Sequence, residues 1–353
     1  MSQFHKIKIS DIRKETTDTV SIVFNLPENL KNEFQFHSGQ YVTVRATIKG
    51  EDIRRSYSIC SAPYENEIRI GVKKIENGKM SSFLTQELHI NDELEVMPPS
   101  GNFIVKNLKG NTVGFAAGSG ITPLLSIIKS VLKSGGKFTL FYGNKTAVCT
   151  IFKEELDKLV VNYPNQLVLH YIFSKEETSK ALYHGRINEE KVTAFIKENL
   201  ELLKADGFYL CGPEEMINAV HNTLKLVGVT EEKIHFELFT TPVKANNLEA
   251  NTPDETGFKG VSQVTIIMDG EEFEFELKND GETILDAAMN QGADAPFSCK
   301  GAVCCTCKAQ VIEGKATMEM NYALSDQEVA DGFILTCQAH PASEKLVVDY
   351  DVI

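Results

Sequence analysis

Cys299, Cys304, Cys307 and Cys337 are the residues whose type and spacing most constrain the chemistry of this chain. The first three follow a C-x4-C-x2-C pattern, and 29 residues separate the third from the fourth. That is the spacing of one class of 2Fe–2S cluster, which needs four thiolates around one small volume. The run Pro296-Phe297-Ser298-Cys299-Lys300-Gly301-Ala302-Val303-Cys304-Cys305-Thr306-Cys307 can wrap three of them, and Cys337 is expected to arrive on a separate strand. Structural zinc is the alternative, but zinc sites favour C-x2-C pairs, and His340 stands alone near Cys337. Cys305 is read as a small residue packed beneath the loop. Such a site moves one electron at a time.

Other segments have the makings of nucleotide sites. Arg55-Ser56-Tyr57-Ser58 reads as a strand, its alternation sending Arg55 and Tyr57 to one face and Ser56 and Ser58 to the other. Arginine can grip a pyrophosphate, tyrosine can stack on a flat heterocycle, and serine can reach a ring nitrogen. Gly78-Lys79-Met80-Ser81 opens a helix, whose first N–H groups suit a phosphate. Gly118-Ser119-Gly120-Ile121-Thr122-Pro123 follows a strand; its glycines permit close backbone approach, Thr122 is predicted to cap the next helix, and Pro123 to be its first residue. Cys211-Gly212-Pro213 joins a later strand to a helix, at the sheet edge where ligands bind in such folds.

These segments need a scaffold of three kinds. Residues 1–107 read as short strands with period-2 alternation and recurrent turns, a small antiparallel barrel. Residues 108–240 alternate strand and helix, the pattern of an α/β domain with a parallel sheet. Residues 241–260 are polar and read as a linker. Residues 261–353 open with a hairpin around Asp269-Gly270 and a helix capped by Thr283, just ahead of the cysteine loop.

The 353 residues leave room for two or three domains. No apolar stretch approaches the roughly 20 residues of a membrane span, and the N-terminus lacks the apolar core of a signal peptide. With eight cysteines, a reducing cytoplasm is expected. The net charge is −13; from Val261 onward there are 5 Lys and no Arg against 17 Asp plus Glu, a net of −12 that leaves −1 for the rest. This asymmetry argues against nucleic-acid binding; it reads equally as a solvated face or as a docking face for a basic partner.

In this order, the motifs resemble the ferredoxin–NADP⁺ reductase family, in the subclass with a C-terminal plant-type ferredoxin domain of β-grasp fold. The resemblance covers essentially the whole chain. It implies that Arg55, Ser56, Tyr57 and Ser58 bind FAD, with Tyr57 and Ser58 at the isoalloxazine, and that Lys79, Met80 and Ser81 hold its pyrophosphate. Gly118, Gly120, Thr122 and Pro123 would receive the nicotinamide dinucleotide, and Cys211, Gly212 and Pro213 would border the nicotinamide. Tyr57, Ser58, Thr122 and Cys211 would stand at the reacting atoms. Phe236 or Phe239 would cover the flavin, with core packing expected for at least one of the two. The strand ending Phe141-Tyr142-Gly143-Asn144-Lys145 carries no carboxylate; Lys145, with Ser174, Lys175 or Arg186, is a candidate for a 2′-phosphate, which favours NADPH over NADH.

The implied activity passes hydride from NADPH to FAD and single electrons through the cluster to an oxygenase component. The strings Phe297–Gly301, Val303–Lys308, Asn321-Tyr322-Ala323-Leu324 and Leu335–Pro341 place the likeness among reductases of multi-subunit di-iron epoxidases acting on phenylacetyl-CoA. A Rieske dioxygenase, a desaturase or a hydroxylase is the alternative acceptor. A redox sensor or electron carrier is the alternative of another class.

Overall fold

The computed structural model describes residues 4–239 and 258–352. These divide into two compact units, one built from Phe4–Ile53 and Tyr57–Phe239 and the other from the C-terminal residues together with Arg54–Ser56. The predicted linker falls largely outside the described residues. Among the described residues, no helix is long and apolar enough to cross a membrane.

The first unit begins with β1 (His5–Lys14), β2 (Thr19–Asn25), β3 (Tyr41–Ile48), β4 (Glu51–Ser58), β5 (Ile68–Lys73), helix α1 (Lys79–Gln86) and β6 (Glu93–Val96). They form one six-stranded sheet in the order β4-β3-β6-β1-β2-β5. The strand β4 ends at Ser58, and the chain beyond it crosses to the far edge. There Ile59 bridges Ile70, and Cys60 N–H donates to Arg69 C=O at 2.8 Å, so the two edges meet and the sheet closes. Alternate residues such as Ile7, Ile9, Ile22, Val42, Val44, Ile70 and Val72 fill the interior.

The same unit continues with β7 (Asn111–Ala117), α2 (Ile121–Lys133), β8 (Lys137–Asn144), α3 (Lys153–Asn162), β9 (Leu167–Phe173), α4 (Glu189–Glu198), β10 (Gly207–Cys211), α5 (Glu214–Leu226) and β11 (Ile234–Glu237). All pairings in this five-stranded sheet are parallel, in the order β11-β10-β7-β8-β9. The chain leaves β7 toward β8 on one side and returns to β10 on the other. In open α/β sheets such a reversal is where ligands bind, outside the C-terminal ends of the strands. The glycine turn after β7 sits there.

The second unit comprises β12 (Val261–Met268), β13 (Glu271–Lys278), α6 (Ile284–Asn290), β14 (Lys308–Glu313), β15 (Ala316–Met318), α7 (Asp326–Ala330), β16 (Phe333–Leu335), β17 (Ala339–Pro341) and β18 (Lys345–Asp349). The mixed sheet runs β13-β12-β18-β14-β16, with β12 and β18 parallel and α6 packed on it through Ile284, Leu285, Ala287 and Ala288. This is the β-grasp layout. Thr283 caps α6, its hydroxyl accepting from Asp286 N–H. Glu272, Glu274 and Glu276 are exposed on the edge strand β13, while Phe275 and Leu277, which alternate with them, are buried. Charge on an edge strand discourages pairing with another sheet, a physical role these carboxylates fill without any partner.

Candidate functional site

The glycine turn is shaped by contacts that only glycine permits. Gly118 has φ +54 and open space where a side chain would point. Gly120 packs so tightly that a Cβ would run into the carbonyl of Cys211, and a Cβ on Gly212 would lie 3.1 Å from Ala117 N. The two loops at the sheet edge, after β7 and after β10, are therefore in backbone contact. Tyr142, buried in β8, donates its hydroxyl to Gly118 C=O at 3.0 Å and fixes the turn from below.

Two details of the predicted turn are corrected. Gly118–Gly120 forms a 3-10 turn that runs straight into α2, so Gly120 rather than Thr122 is the N-cap, and Pro123 is the third helical residue rather than the first. Thr122 is buried, donates to Ser119 C=O at 3.0 Å and packs against Gly71 of β5, where a Cβ would lie 2.7 Å from its methyl carbon. Its hydroxyl shapes the turn.

On β4, Arg55 is exposed, Ser56 and Tyr57 are half-buried, and Ser58 is buried. Ser58 Oγ donates to Glu237 Oε2 at 3.0 Å. Glu237 closes β11 and is in register with Cys211. Burial pushes its carboxyl up to about 7, against a hydrogen bond from Ser58 that pulls the other way. The Cys211 thiol is raised well above its ordinary value by burial, with the nearby Glu237 adding to the effect. Glu237 is the functional candidate that sequence reasoning missed. It lies between Phe236 and Phe239, and only the pairing of β10 with β11 brings it to Ser58.

The other predicted positions divide clearly. Met80 is buried in the barrel core, so only its backbone can face a ligand at the start of α1. Ser81 is buried; its hydroxyl accepts from Ile75 N–H at 3.1 Å and donates to Gly78 C=O, tying the turn before α1. Lys79 is exposed and pairs with Glu51. Lys145 and Lys175 are brought together, since Lys175 N–H donates to Lys145 C=O at 2.8 Å and Ser174 N–H to Asn144 C=O at 2.9 Å. Arg186 follows Gly185, whose N–H bonds Phe173 C=O, and reaches Glu215 at 3.4 Å. A carboxylate is also at this edge: Glu176 accepts from Ala147 N–H at 2.7 Å. Pro213 caps α5. Phe236 and Phe239 are 37% and 41% exposed, so the expectation that one is core fails; the end of β11 leaves both at the surface.

In the C-terminal unit, Cys304 Sγ lies 3.1 Å from Cys299 Sγ, Cys299 also contacts Cys337, and Cys337 contacts Cys307. Cys337 sits in a 3-10 turn between β16 and β17 rather than on a strand, because a turn can aim the thiol at the loop. Among the described residues, no three Cys, His, Asp or Glu side chains form the ligand set of a single ion. The thiols form a chain, 304–299–337–307, which suits two thiolates on each of two irons better than four equidistant from one zinc. Cys305 is buried and turns to Ala323 C=O, as expected for a packing residue. Lys300 and Ala302 adopt left-handed φ values of 49 and 62, at a cost of about 1–3 kcal/mol each. The loop is held there by Lys300 Nζ on Asp286 at 2.6 Å, Gln338 on Lys300 C=O at 3.2 Å, and Tyr322 N–H on Ala302 C=O at 3.1 Å.

Three family models match the chain in succession: an oxidoreductase FAD-binding domain over residues 6–104, an oxidoreductase NAD-binding domain over 115–222, and a 2Fe–2S iron–sulfur cluster binding domain over 266–342. The chain is 39% identical over 356 residues to one of the subunits of 1,2-phenylacetyl-CoA epoxidase from Escherichia coli (strain K12), covering 99% of both. The chain belongs to the ferredoxin–NADP⁺ reductase family. It is of the branch that carries a 2Fe–2S domain, and it is an NAD(P)H-dependent oxidoreductase. A second relative in this branch is the ferredoxin reductase component of 3-ketosteroid-9-alpha-monooxygenase from Rhodococcus rhodochrous, 32% identical over 98% of this chain and 96% of its own. The crystal structure of phthalate dioxygenase reductase has the same fold, with a TM-score of 0.59, 24% identity and 98% of each chain covered.

Proposed function

We propose that this reductase takes hydride from NADPH and delivers single electrons to an oxygenase component, the multi-subunit di-iron enzyme that epoxidises phenylacetyl-CoA. The observation that carries the first half is the junction of β4, β10 and β11, where Ser58 meets Glu237 beside Cys211, and Gly120 backs onto the Cys211 carbonyl. A flavin on the first strand and a nicotinamide on the glycine turn would then face each other. Support for the acceptor is the likeness to the epoxidase component along 99% of both chains.

FAD and a 2Fe–2S cluster supply the redox chemistry, the one accepting an electron pair and the other passing electrons singly. The protein's own work is to bind, orient and hold protons. Arg55, Lys79 and the backbone at the start of α1 hold the FAD phosphates, with Ser81 bracing that turn, while Ser56, Tyr57 and Ser58 align the ring. Gly118, Gly120, Thr122 and Pro123 form the seat of the dinucleotide and Cys211, Gly212 and Pro213 its wall, with exposed Phe239 as cover. Glu237 holds a proton against Ser58. Cys299, Cys304, Cys307 and Cys337 ligate the cluster. Lys145, Ser174 and Lys175 form the 2′-phosphate seat. The division into 1–107, 108–240, 241–260 and 261–353 follows these roles. Eight cysteines, four of them committed to the cluster, favour a cytoplasmic setting.

An anaerobic titration with NADPH and then NADH tests the relay, which predicts flavin bleaching followed by loss of the sulfur-to-iron bands, with NADPH the better donor. Reconstitution with purified oxygenases tests the acceptor. Coupling to a steroid hydroxylase but not to the epoxidase would replace the acceptor proposed, a reading favoured by the 32% relative.

A further inference from the structure

Helix α2 carries a polar stripe on an otherwise apolar surface. Thr122, Ser126, Lys129 and Ser130 are spaced so as to share one face, and all are buried. Each meets the barrel: Thr122 packs on Gly71, Ser126 Oγ donates to Ser61 C=O at 2.6 Å, Lys129 Nζ reaches both oxygens of Glu65 at 2.9 Å, and Ser130 bonds Ser38 at 2.5 Å. Lys129, only 4% exposed, also pairs with Glu155 of α3 at 2.5 Å. Glu155 in turn accepts from Arg69 Nη2 at 2.8 and 2.9 Å, and Arg69, on β5, is likewise 4% exposed. Its guanidinium lies over the ring of Phe152, which adopts left-handed φ 57 just ahead of α3 and reaches Gly71.

A buried lysine and a buried arginine sharing one carboxylate are costly to assemble, and removing any partner strands a charge. Apolar residues of similar volume would hold two layers together with less directional demand. Ion pairs and short hydrogen bonds instead admit one register. Arg69 and Gly71 lie on the same strand, and Thr122 and Lys129 are two turns apart on the same helix. The network therefore fixes, at a distance, how Thr122 and the glycine turn sit over β5.

We infer that Lys129, Glu155 and Arg69 form a positioning clamp that sets the register of the nucleotide turn against the flavin strands, and so the rate of hydride transfer. This rests on the reading of Gly118–Pro123 as the nucleotide seat. Reactions of this kind lose rate steeply when the partners are displaced by fractions of an ångström.

The test compares the holoenzyme with Lys129→Met, Lys129→Arg and Glu155→Gln. We expect Lys129→Met and Glu155→Gln to slow single-turnover flavin reduction about 10-fold, to leave the dissociation constant for NADP⁺ within about 3-fold, and to speed amide exchange at residues 121–124, with Lys129→Arg restoring both. Should Lys129→Met fail to fold, Glu155→Gln carries the test. A fall in thermal midpoint with unchanged reduction rate and unchanged exchange at 121–124 would overturn the clamp and leave a structural network. The nucleotide seat is checked separately in the parent protein, where NADP⁺ should slow exchange at 118–124; lack of that protection counts against the seat, whereas the difference between parent and variant tests the clamp alone.

Discussion

The two units prepare their sites in different ways. In the C-terminal unit, four thiols lie in a chain of contacts, three of them on one nine-residue loop, and the surrounding fold serves to hold that loop in a strained shape. In the larger unit, hardly any side chain of the site works alone. Its features are a carbonyl against a glycine, a serine against a carboxyl from a distant strand, and two loops zipped by backbone hydrogen bonds. A site made of ligating atoms depends on residue type, and one made of backbone shape depends on what fits where.

That contrast can be broken most directly at Cys304. Cys304→Ala should abolish the cluster's visible absorbance and its EPR signal on reduction, and with them electron delivery to the oxygenase, because a missing thiolate cannot be replaced by shape. Retention of a normal 2Fe–2S spectrum would remove Cys304 from the ligand set. The matching change in the larger unit alters no chemical group. Gly120→Ala adds one carbon where the Cys211 carbonyl lies, and displacement of the turn should lower the rate of flavin reduction by NADPH about 100-fold while the cluster spectrum stays intact. Unchanged stopped-flow kinetics would show that the contact between the two loops does not matter.

A smaller effect is expected at Glu237. Its carboxyl titrates near 7 in the folded protein against an ordinary value of 4.5. The folded state therefore keeps a proton that the unfolded chain releases, so the stability linked to this group is full below pH 4.5 and is lost as pH rises through about 7. Above that pH a buried negative charge would oppose delivery of hydride to a flavin seated beside Ser58 as proposed, so flavin reduction should slow. Glu237→Gln should flatten both profiles, measured by stopped flow and by thermal unfolding between pH 5 and pH 8 (a range of about three units around a raised carboxyl). A parallel profile in the variant would assign the titration to another group.

Legibility followed the same divide. The hairpin turns at Asp269-Gly270 and Thr283 caps its helix as expected, because these depend on neighbours in sequence. The sequence pattern places the start of α2 two residues late, since a Thr-Pro pair looks like a cap while the glycines before it already turn helically. Met80 and Ser81 resemble phosphate contacts by their place at a helix start, yet their side chains face inward and close the turn. For Phe236 and Phe239 hydrophobicity suggests a core position, but it does not say where a strand ends.

By itself the sequence determined the four thiols, the order barrel, parallel sheet and β-grasp, and the glycine positions, because each rests on local spacing, periodicity or backbone freedom. Only the tertiary structure decided that Glu237 meets Ser58, that Lys145 lies beside Lys175, and that Lys129, Glu155 and Arg69 share one buried network. Those contacts join residues from about 30 to 180 positions apart in chain order. Their existence follows from which strands pair and which helix face turns inward, and no local pattern encodes it.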